Sequence, residues 1–265
     1  GALYVVDFAR EWVEHPDFVP QDMRAAVNWR NGDTLGRIWR IRPKDWSAEK
    51  YRIQKLSGVA SPELVHSLNH PNAWYRTQAQ RLLVSRKDTS VVAALKVAAR
   101  AASTPQGRIH ALWTLDGLDA LNDAALLESL KDSDAKVRRQ AVLLSESRAS
   151  NPKVVIALAK RSADTDAAVR LQVAAAAGGL PADARIGICL EIAASDAQDK
   201  WFRLALVGST NTDTLKFTQA LLERFKGDFD AYAFANFDFV SALCEVIGKS
   251  GHAEDISSLL KTIAQ

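Results

Sequence analysis

Residues 134–141 read DAKVRRQA and residues 166–173 read DAAVRLQV, so the same order of aspartate, alanine, valine and arginine occurs twice. The arginine of this pattern recurs at intervals of 32, 30, 32 and 33 residues, at Arg76, Arg108, Arg138, Arg170 and Arg203. Self-similarity at a fixed period of roughly 20–50 residues is the signature of a repeat architecture. The sequence therefore predicts at least five copies of one structural unit.

Each unit is predicted to be a pair of helices. Four residues before each arginine stands a residue whose side-chain oxygen can accept hydrogen bonds from the first turn of a helix. These residues are Asn72, Thr104, Asp134, Asp166 and Asp199. Apolar residues at helical spacing follow each arginine, which predicts that the second helix buries one face.

A first helix is predicted before each of these caps, and further helices follow the fifth unit. The predicted first helices are residues 62–68, 90–101, 123–130, 152–162 and 184–194, and the later helices are 214–225, 237–247 and 253–263. A two-helix unit of this size cannot bury its apolar face alone, so neighbouring units must stack. The prediction is a mainly α fold, a right-handed α-solenoid over residues 61–265.

The order of leucines, aspartate, valine–arginine and alanine resembles that of HEAT repeats, in particular the shorter variant of PBS-lyase-type proteins. In HEAT-like repeats, an arginine and an aspartate near the start of the second helix usually form a ladder between repeats. The resemblance therefore implies a structural ladder of the five arginines with Asp134, Asp166 and Asp199. It also implies a scaffold that binds proteins, as repeat arrays do through their extended surfaces.

The basic side chains of the central repeats allow another interpretation. Residues 61–180 carry 16 basic and 11 acidic side chains, whereas residues 181–265 carry 8 and 12. We expect a group of solvated basic residues to supply any anion-binding patch, namely Lys131, Lys136, Arg139, Lys160 and Arg161. A HEAT-like nucleic-acid-binding module is thus an alternative, although the formal net charge of +3 falls well short of the usual basic signature of such modules.

Residues 1–60 differ in kind from the repeats and form a separate predicted region. Branched and aromatic residues predict strands at residues 3–8 and 36–41. Two strands alone are marginal in water and leave open edges, so we expect a larger sheet that lies mostly outside this chain. Four tryptophans offer apolar surface for docking, namely Trp12, Trp29, Trp39 and Trp46.

Several stretches of this region, GALYVVDF (1–8), EHP (14–16), NGD (31–33) and GRIWRI (36–41), look like the end of a β-propeller. The resemblance is to large bacterial membrane-bound dehydrogenase-like proteins, whose propeller is similar to that of quinoprotein sugar dehydrogenases. HALWTLDG (110–117) also resembles that family's repeats. The resemblance implies a preceding propeller, often a later c-type cytochrome domain, and a periplasmic or cell-envelope location. Because the sequence begins with Gly1 and not with an initiator methionine, we expect it to be a piece of a longer protein.

The chain shows no complete catalytic set. It lacks Cys-x-x-Cys-His, nucleophile-elbow, Walker and dinucleotide motifs, so no cofactor is predicted within it. His66 and His70 are four residues apart, but without a following glutamate they predict no metal site. Cys189 and Cys244 are isolated in apolar helical patterns and are expected in the core. No run of 18 apolar residues occurs, so no membrane span is predicted.

One group of polar residues near the N-terminus could contribute to a site at the rim of a propeller: Asp7, Arg10, Glu14 and His15. A third hypothesis is therefore a fragment that completes a dehydrogenase active site. The alternative for these four residues is a structural role, in which ion pairs between them stabilise a corner of the fold. Of the three hypotheses, the sequence favours a non-catalytic protein-interaction scaffold that belongs to a larger propeller-type dehydrogenase.

Overall fold

The computed structural model describes residues 2–47, 49, 52 and 54–263. The chain divides into two compact units, Gly1–Lys55 and Leu56–Gln265. Each unit is described by itself below. The sequence prediction placed the division at residue 60, slightly later in the chain.

The first unit contains a two-stranded antiparallel sheet of β1 (Leu3–Asp7) and β2 (Arg37–Ile41). Its register pairs Leu3 with Ile41 and Val5 with Trp39. Successive side chains in a strand point to opposite faces. Because Leu3, Tyr4, Val5 and Val6 are all exposed, both faces of the sheet present apolar side chains to solvent. The two predicted strands are confirmed, and two short 3-10 turns, Pro16–Phe18 and Arg24–Ala26, lie between them.

The second unit is helical over most of its described length. Its helices are α1 (Ser61–Ser67), α2 (Ala73–Arg86), α3 (Val92–Ala101), α4 (Pro105–Gly117), α5 (Asp123–Ser129), α6 (Ala135–Leu144), α7 (Pro152–Arg161), α8 (Ala167–Ala176), α9 (Ala182–Asp196), α10 (Lys200–Thr210), α11 (Thr214–Arg224), α12 (Phe229–Ala235), α13 (Phe237–Lys249) and α14 (Ala253–Ile263). The prediction of a mainly α fold is confirmed. The short helix α12 was not predicted.

The second helix of each pair begins where its cap was predicted. The side chains of Asn72, Asp134, Asp166 and Asp199 accept hydrogen bonds from the backbone N–H group two residues later, at 2.8–2.9 Å. Thr104 accepts from the N–H group of Gly107 at 3.0 Å. Each cap satisfies a donor that has no partner inside its own helix. Local side-chain chemistry thus fixes where α2, α4, α6, α8 and α10 start.

The helices of the second unit pack in two alternating series. The second helices α2, α4, α6, α8 and α10 each contact the next member of their series. The first helices α1, α3, α5, α7 and α9 do the same, and α9 also contacts α11. One continuous core runs between the two series, in which leucines of successive first helices are almost fully buried, namely Leu64, Leu95, Leu126 and Leu158. Each helix pair therefore buries its apolar face against its neighbours.

The C-terminal part of the second unit departs from this regular order. The axes of α12 and α13 differ by 97° across a break between them. Across the described ranges of the chain, no single helix has both the length and the apolar character required for a membrane crossing. The bent pair α12–α13 meets that test only when its two helices are taken together.

Candidate functional site

An arginine–aspartate link joins α6 to the turn between α7 and α8. The Nε and Nη2 atoms of Arg138 donate to the two carboxylate oxygens of Asp164, at 2.8 and 2.7 Å. The remaining Nη1 atom donates to the backbone carbonyls of Asp132 and Ser133. Asp164 in turn accepts a hydrogen bond from the N–H group of Asp166. One guanidinium group thus holds its own turn and the turn of the next helix pair together.

The same geometry occurs in the preceding and the following pair. Arg108 binds both carboxylate oxygens of Asp132, at 2.7 and 2.9 Å, and donates to the carbonyl of Ala102. Arg170 binds both oxygens of Asp196, at 2.8 and 2.6 Å, and donates to the carbonyl of Asp164. Arg108, Arg138 and Arg170 therefore occupy equivalent places in successive helix pairs.

The arginines bind different aspartates from the ones predicted. Asp134, Asp166 and Asp199 point their carboxylates at the first backbone N–H groups of their own helices. Asp164, the partner of Arg138, lies two residues before the cap Asp166. Asp196, the partner of Arg170, lies three residues before its own cap. A cap oxygen is committed to its own helix, so a second aspartate in the same turn forms the link between pairs.

The two ends of the ladder are different. Arg76 donates to the carbonyls of His70 and Pro71, and its buried Nε atom has no hydrogen-bond partner. Ala102 stands where the next pairs have an aspartate, and among the described residues no carboxylate forms an ion pair with Arg76. Instead, Asn69 accepts hydrogen bonds from the N–H and hydroxyl groups of Thr104. The first two helix pairs are therefore joined by a neutral link.

At the other end of the ladder, Arg203 donates to the carbonyl of Gln198 and lies 3.2 Å from the carboxylate of Asp238. The side chain of Asp238 is 72% exposed, so this ion pair is open to solvent. Exposed pairs of this kind contribute little to stability. The ladder is strongest in its middle.

The charges of the ladder arginines and aspartates compensate one another within the protein. Burial raises the pKa of Asp164, but hydrogen bonds from Arg138 and from the Asp166 N–H group, with the charges of Arg138 and Arg161, outweigh it and lower the pKa below its usual value. Burial also raises the pKa of Asp196, but hydrogen bonds from Arg170 and Ser195 and the charge of Arg170 outweigh this effect, so the pKa lies below its usual value. These arginines are therefore neutralised and are not available to an external anion.

The five residues of the predicted anion patch lie in different surroundings. Arg161 is bound to Asp164 at 2.9 Å. Lys136, Arg139 and Lys160 are exposed side chains on α6 and α7. Lys131 lines a cleft of about 410 Å³ beside the ends of α3 and α5.

That cleft contains basic residues that sequence reasoning missed. Lys96 and Arg100 of α3 line it together with Lys131, and the Arg108–Asp132 link forms one side of it. The sequence contained a usable signal for this cleft. Residues 89–115 include no acidic residue, and Lys96 and Arg100 in this segment are one helical turn apart. Their positive charge is therefore not balanced within their own segment of the chain.

The four rim candidates of the first unit each have a separate environment. Asp7 accepts a hydrogen bond from the indole N–H of Trp39 at 3.0 Å and lies 3.3 Å from Arg37. Arg10 donates to the carbonyl of Trp29 at 2.8 Å. His15 accepts a bond from the N–H group of Asp17, and Glu14 is exposed. Within the described residues, no hydrogen bond or ion pair joins any two of the four.

Residues 1–45 match the model of a domain of unknown function, DUF7133. The match lies entirely within the first unit. No curated protein matches the chain. The helical unit is therefore interpreted from its own geometry.

Histidines and cysteines do not assemble into a metal site in the part of the chain that the structure describes. His70 packs against Tyr75 with ring centroids 4.3 Å apart and the ring planes tilted by 37°, and His66 is exposed. Cys189 is buried as predicted, and burial raises the pKa of its thiol to about 12. Cys244 is exposed, so its predicted place in the core is wrong. It lies one position away from Leu243, which takes the buried face of α13.

Proposed function

We propose that the helical unit is an α-solenoid of HEAT-like repeats and that it acts as a non-catalytic scaffold for binding another protein. The observation that carries the proposal is the arginine–aspartate link from each central pair to the next, repeated with the same atoms at Arg108, Arg138 and Arg170. The alternating contacts of first and second helices support a linear stack, because from α1 to α10 each helix contacts the next member of its own series.

The surface of the second helices is the proposed binding face. Bonds between neighbouring helices hold it in place, since Trp113 donates to Gln140 at 2.8 Å and the ring of His110 lies 2.6 Å from the amide oxygen of Gln80. Burial and the charge of Arg76 lower the pKa of His110, so this ring is neutral at pH 7. A surface that is fixed before binding loses less conformational entropy when a partner docks.

Exposed apolar side chains on the same series of helices supply contact area for a partner. Trp74 on α2 and Trp201 and Leu204 on α10 are 43%, 64% and 57% exposed. Large aromatic residues of this kind are the usual energetic centres of protein interfaces. They favour a protein partner over a small-molecule substrate.

We further propose that the first unit is the end of a β-propeller in a larger dehydrogenase-like protein. Apolar side chains on both faces of the β1–β2 sheet support this, because an isolated two-stranded sheet with two exposed apolar faces is marginal in water. Additional strands from a propeller would pair with its edges and cover its faces. The adjacent propeller is then one of the partners of the chain.

Site-specific photo-crosslinking tests the scaffold proposal. A photoreactive residue placed at Leu204, on the proposed face, should give discrete protein adducts in the native host. The control is the same residue at Ile156 on the first helix α7, because Ile156 is 59% exposed and so matches Leu204 in accessibility. Equal adducts at both positions, or adducts with nucleic acid alone, would contradict the proposed function.

A further inference from the structure

The cleft beside Lys96, Arg100 and Lys131 is part of a longer groove between the first helices α3 and α5. A second hollow of about 260 Å³ adjoins it and shares with it Lys96, Arg100, Ala125 and Glu128. Together the two hollows form what we call the basic groove. Because the two hollows share four lining residues, they form one continuous groove along α3 and α5.

The basic groove holds cationic groups that have few partners among the described residues. Of the described residues, none forms a hydrogen bond or ion pair with the ammonium group of Lys96 or Lys131, and both side chains are exposed. Arg100 lies 4.0 Å from Glu128, and both of these side chains are more than half exposed, so their attraction is weak. Three cations therefore face the groove with little internal compensation.

Besides these charged residues, the groove is lined by alanines and by the polar residues Asn122, Ser129 and Ser133. Ala99, Ala101, Ala102, Ala124 and Ala125 line it. Their short side chains leave room for a polypeptide backbone to approach the helices closely. Small apolar side chains of a bound segment would contact these methyl groups.

The C-terminal end of α3 also offers hydrogen-bond acceptors. Its last backbone bond runs from the N–H group of Ala102 to the carbonyl of Ala98. Among the described residues, no backbone donor reaches the carbonyls of Ala99, Arg100 and Ala101. A free phosphate has few hydrogen-bond donors to offer these carbonyl groups. A peptide backbone supplies N–H donors, and its acidic side chains supply the negative charge.

We propose that the basic groove binds an acidic, extended peptide segment of a protein partner. Carboxylates of the segment contact Lys96, Arg100 and Lys131, and its backbone N–H groups donate to the free carbonyls of α3. The inference rests on the proposed function as a protein scaffold, but it assigns a separate surface on the first helices.

A defined probe tests this inference on the full chain. The probe is a fluorescein-labelled, end-capped twelve-residue peptide of alternating glutamate and alanine, and fluorescence anisotropy is measured at about 20 mM salt, where surface charges are weakly screened. We expect saturable binding that is lost when every glutamate of the probe is replaced by glutamine. Absence of saturable binding to the unmodified chain would overturn the inference.

Matched charge-reversal variants locate the binding surface. Lys96→Glu with Lys131→Glu should weaken binding about tenfold or more. Lys153→Glu with Lys216→Glu changes the net charge by the same amount at exposed sites outside the groove, and it should weaken binding less than about twofold. Circular dichroism establishes that both variants are folded. Equal weakening by the two variants would mean general charge attraction and would refute the groove.

Two competitors distinguish the chemistry of the ligand. Inorganic phosphate and a single-stranded oligonucleotide should not displace the probe at equal charge concentration, whereas displacement by either would overturn the assignment to a peptide. Crosslinking at Leu204 tests the scaffold face independently. Loss of adducts there with intact probe binding contradicts the proposed function alone, and the reverse result contradicts the groove alone.

Discussion

The carboxylate of Asp164 accepts two hydrogen bonds from Arg138 of the preceding helix pair, one on each oxygen, and only 1% of the Asp164 side chain is exposed. A bidentate pair of this kind is among the stronger polar contacts in proteins. Burial makes it costly to break, because removal of one partner leaves the other charge without compensation. The link between these two residues is therefore a structural requirement of the central repeats.

Asp164→Asn should destabilise the protein by about 3 kcal/mol, since Arg138 then keeps its charge in a buried place with only carbonyl acceptors. The measurement is the free energy of unfolding in urea. Asp134→Asn is the control, because asparagine caps a helix as well as aspartate does, and its effect should stay below about 0.5 kcal/mol. Equal losses for the two variants would show that Asp164 does not form the link.

Stability should also depend on pH in acid. The pKa of Asp164 is lowered from 3.8 in the folded chain, so the folded state binds this proton less readily than the unfolded state. Its contribution is fully present above the unfolded pKa and is lost as pH falls through the lower folded pKa. Urea unfolding from pH 6 to pH 2.5 should show a loss below about pH 4 that is smaller in Asp164→Asn. An identical pH dependence in the variant would contradict this.

Gly107→Ala should destabilise the protein even though alanine favours helices. A Cβ atom at Gly107 would lie 2.3 Å from the amide oxygen of Asn69, the atom that accepts the bonds from Thr104. We expect a net loss of about 1–2 kcal/mol because that link must shift. Gly187→Ala in α9 meets no atom within 4 Å, so it should stabilise by about 0.5–1 kcal/mol. Thermal and urea unfolding of both variants check the difference in sign.

Thiol reactivity should separate the two cysteines. Cys244 is exposed and should react with a thiol reagent in the native protein, whereas Cys189 is fully buried with a pKa raised to about 12 and should not. Counting reacted thiols should give one in buffer and two in denaturant. Cys244→Ser should abolish the native reaction. Two fast-reacting thiols in buffer would contradict the packing of α9.

Local chemistry explains why much of the helical fold was predictable. A cap such as Asp166 depends only on residues within its own turn, so its role can be inferred from spacing. The partner of Arg138 depends on how the turn before α8 is folded, and spacing alone did not distinguish Asp164 from Asp166. The short helix α12 was missed because its unit departs from the regular period of the repeats.

The candidate sites were less predictable for the same reason. Whether Lys131 faces a groove depends on residues of α3 that are about 30 positions away in the sequence. The rim candidates Asp7 and Arg10 are close in sequence, yet each is bound to a different tryptophan. Proximity along the chain therefore did not indicate a shared environment.

The neutral link between Asn69 and Thr104 has a consequence for how the helical unit opens. Ion pairs join the central helix pairs, and separating these helix pairs breaks an ion pair between buried charges. The first two helix pairs are joined by neutral hydrogen bonds, which water can replace. Fluctuations should start at the first pair. Amide hydrogens of α1 and α2 should then exchange with deuterium before those of α6 and α8. Protection against exchange is thus lost first in the first helix pair and later in the central ones.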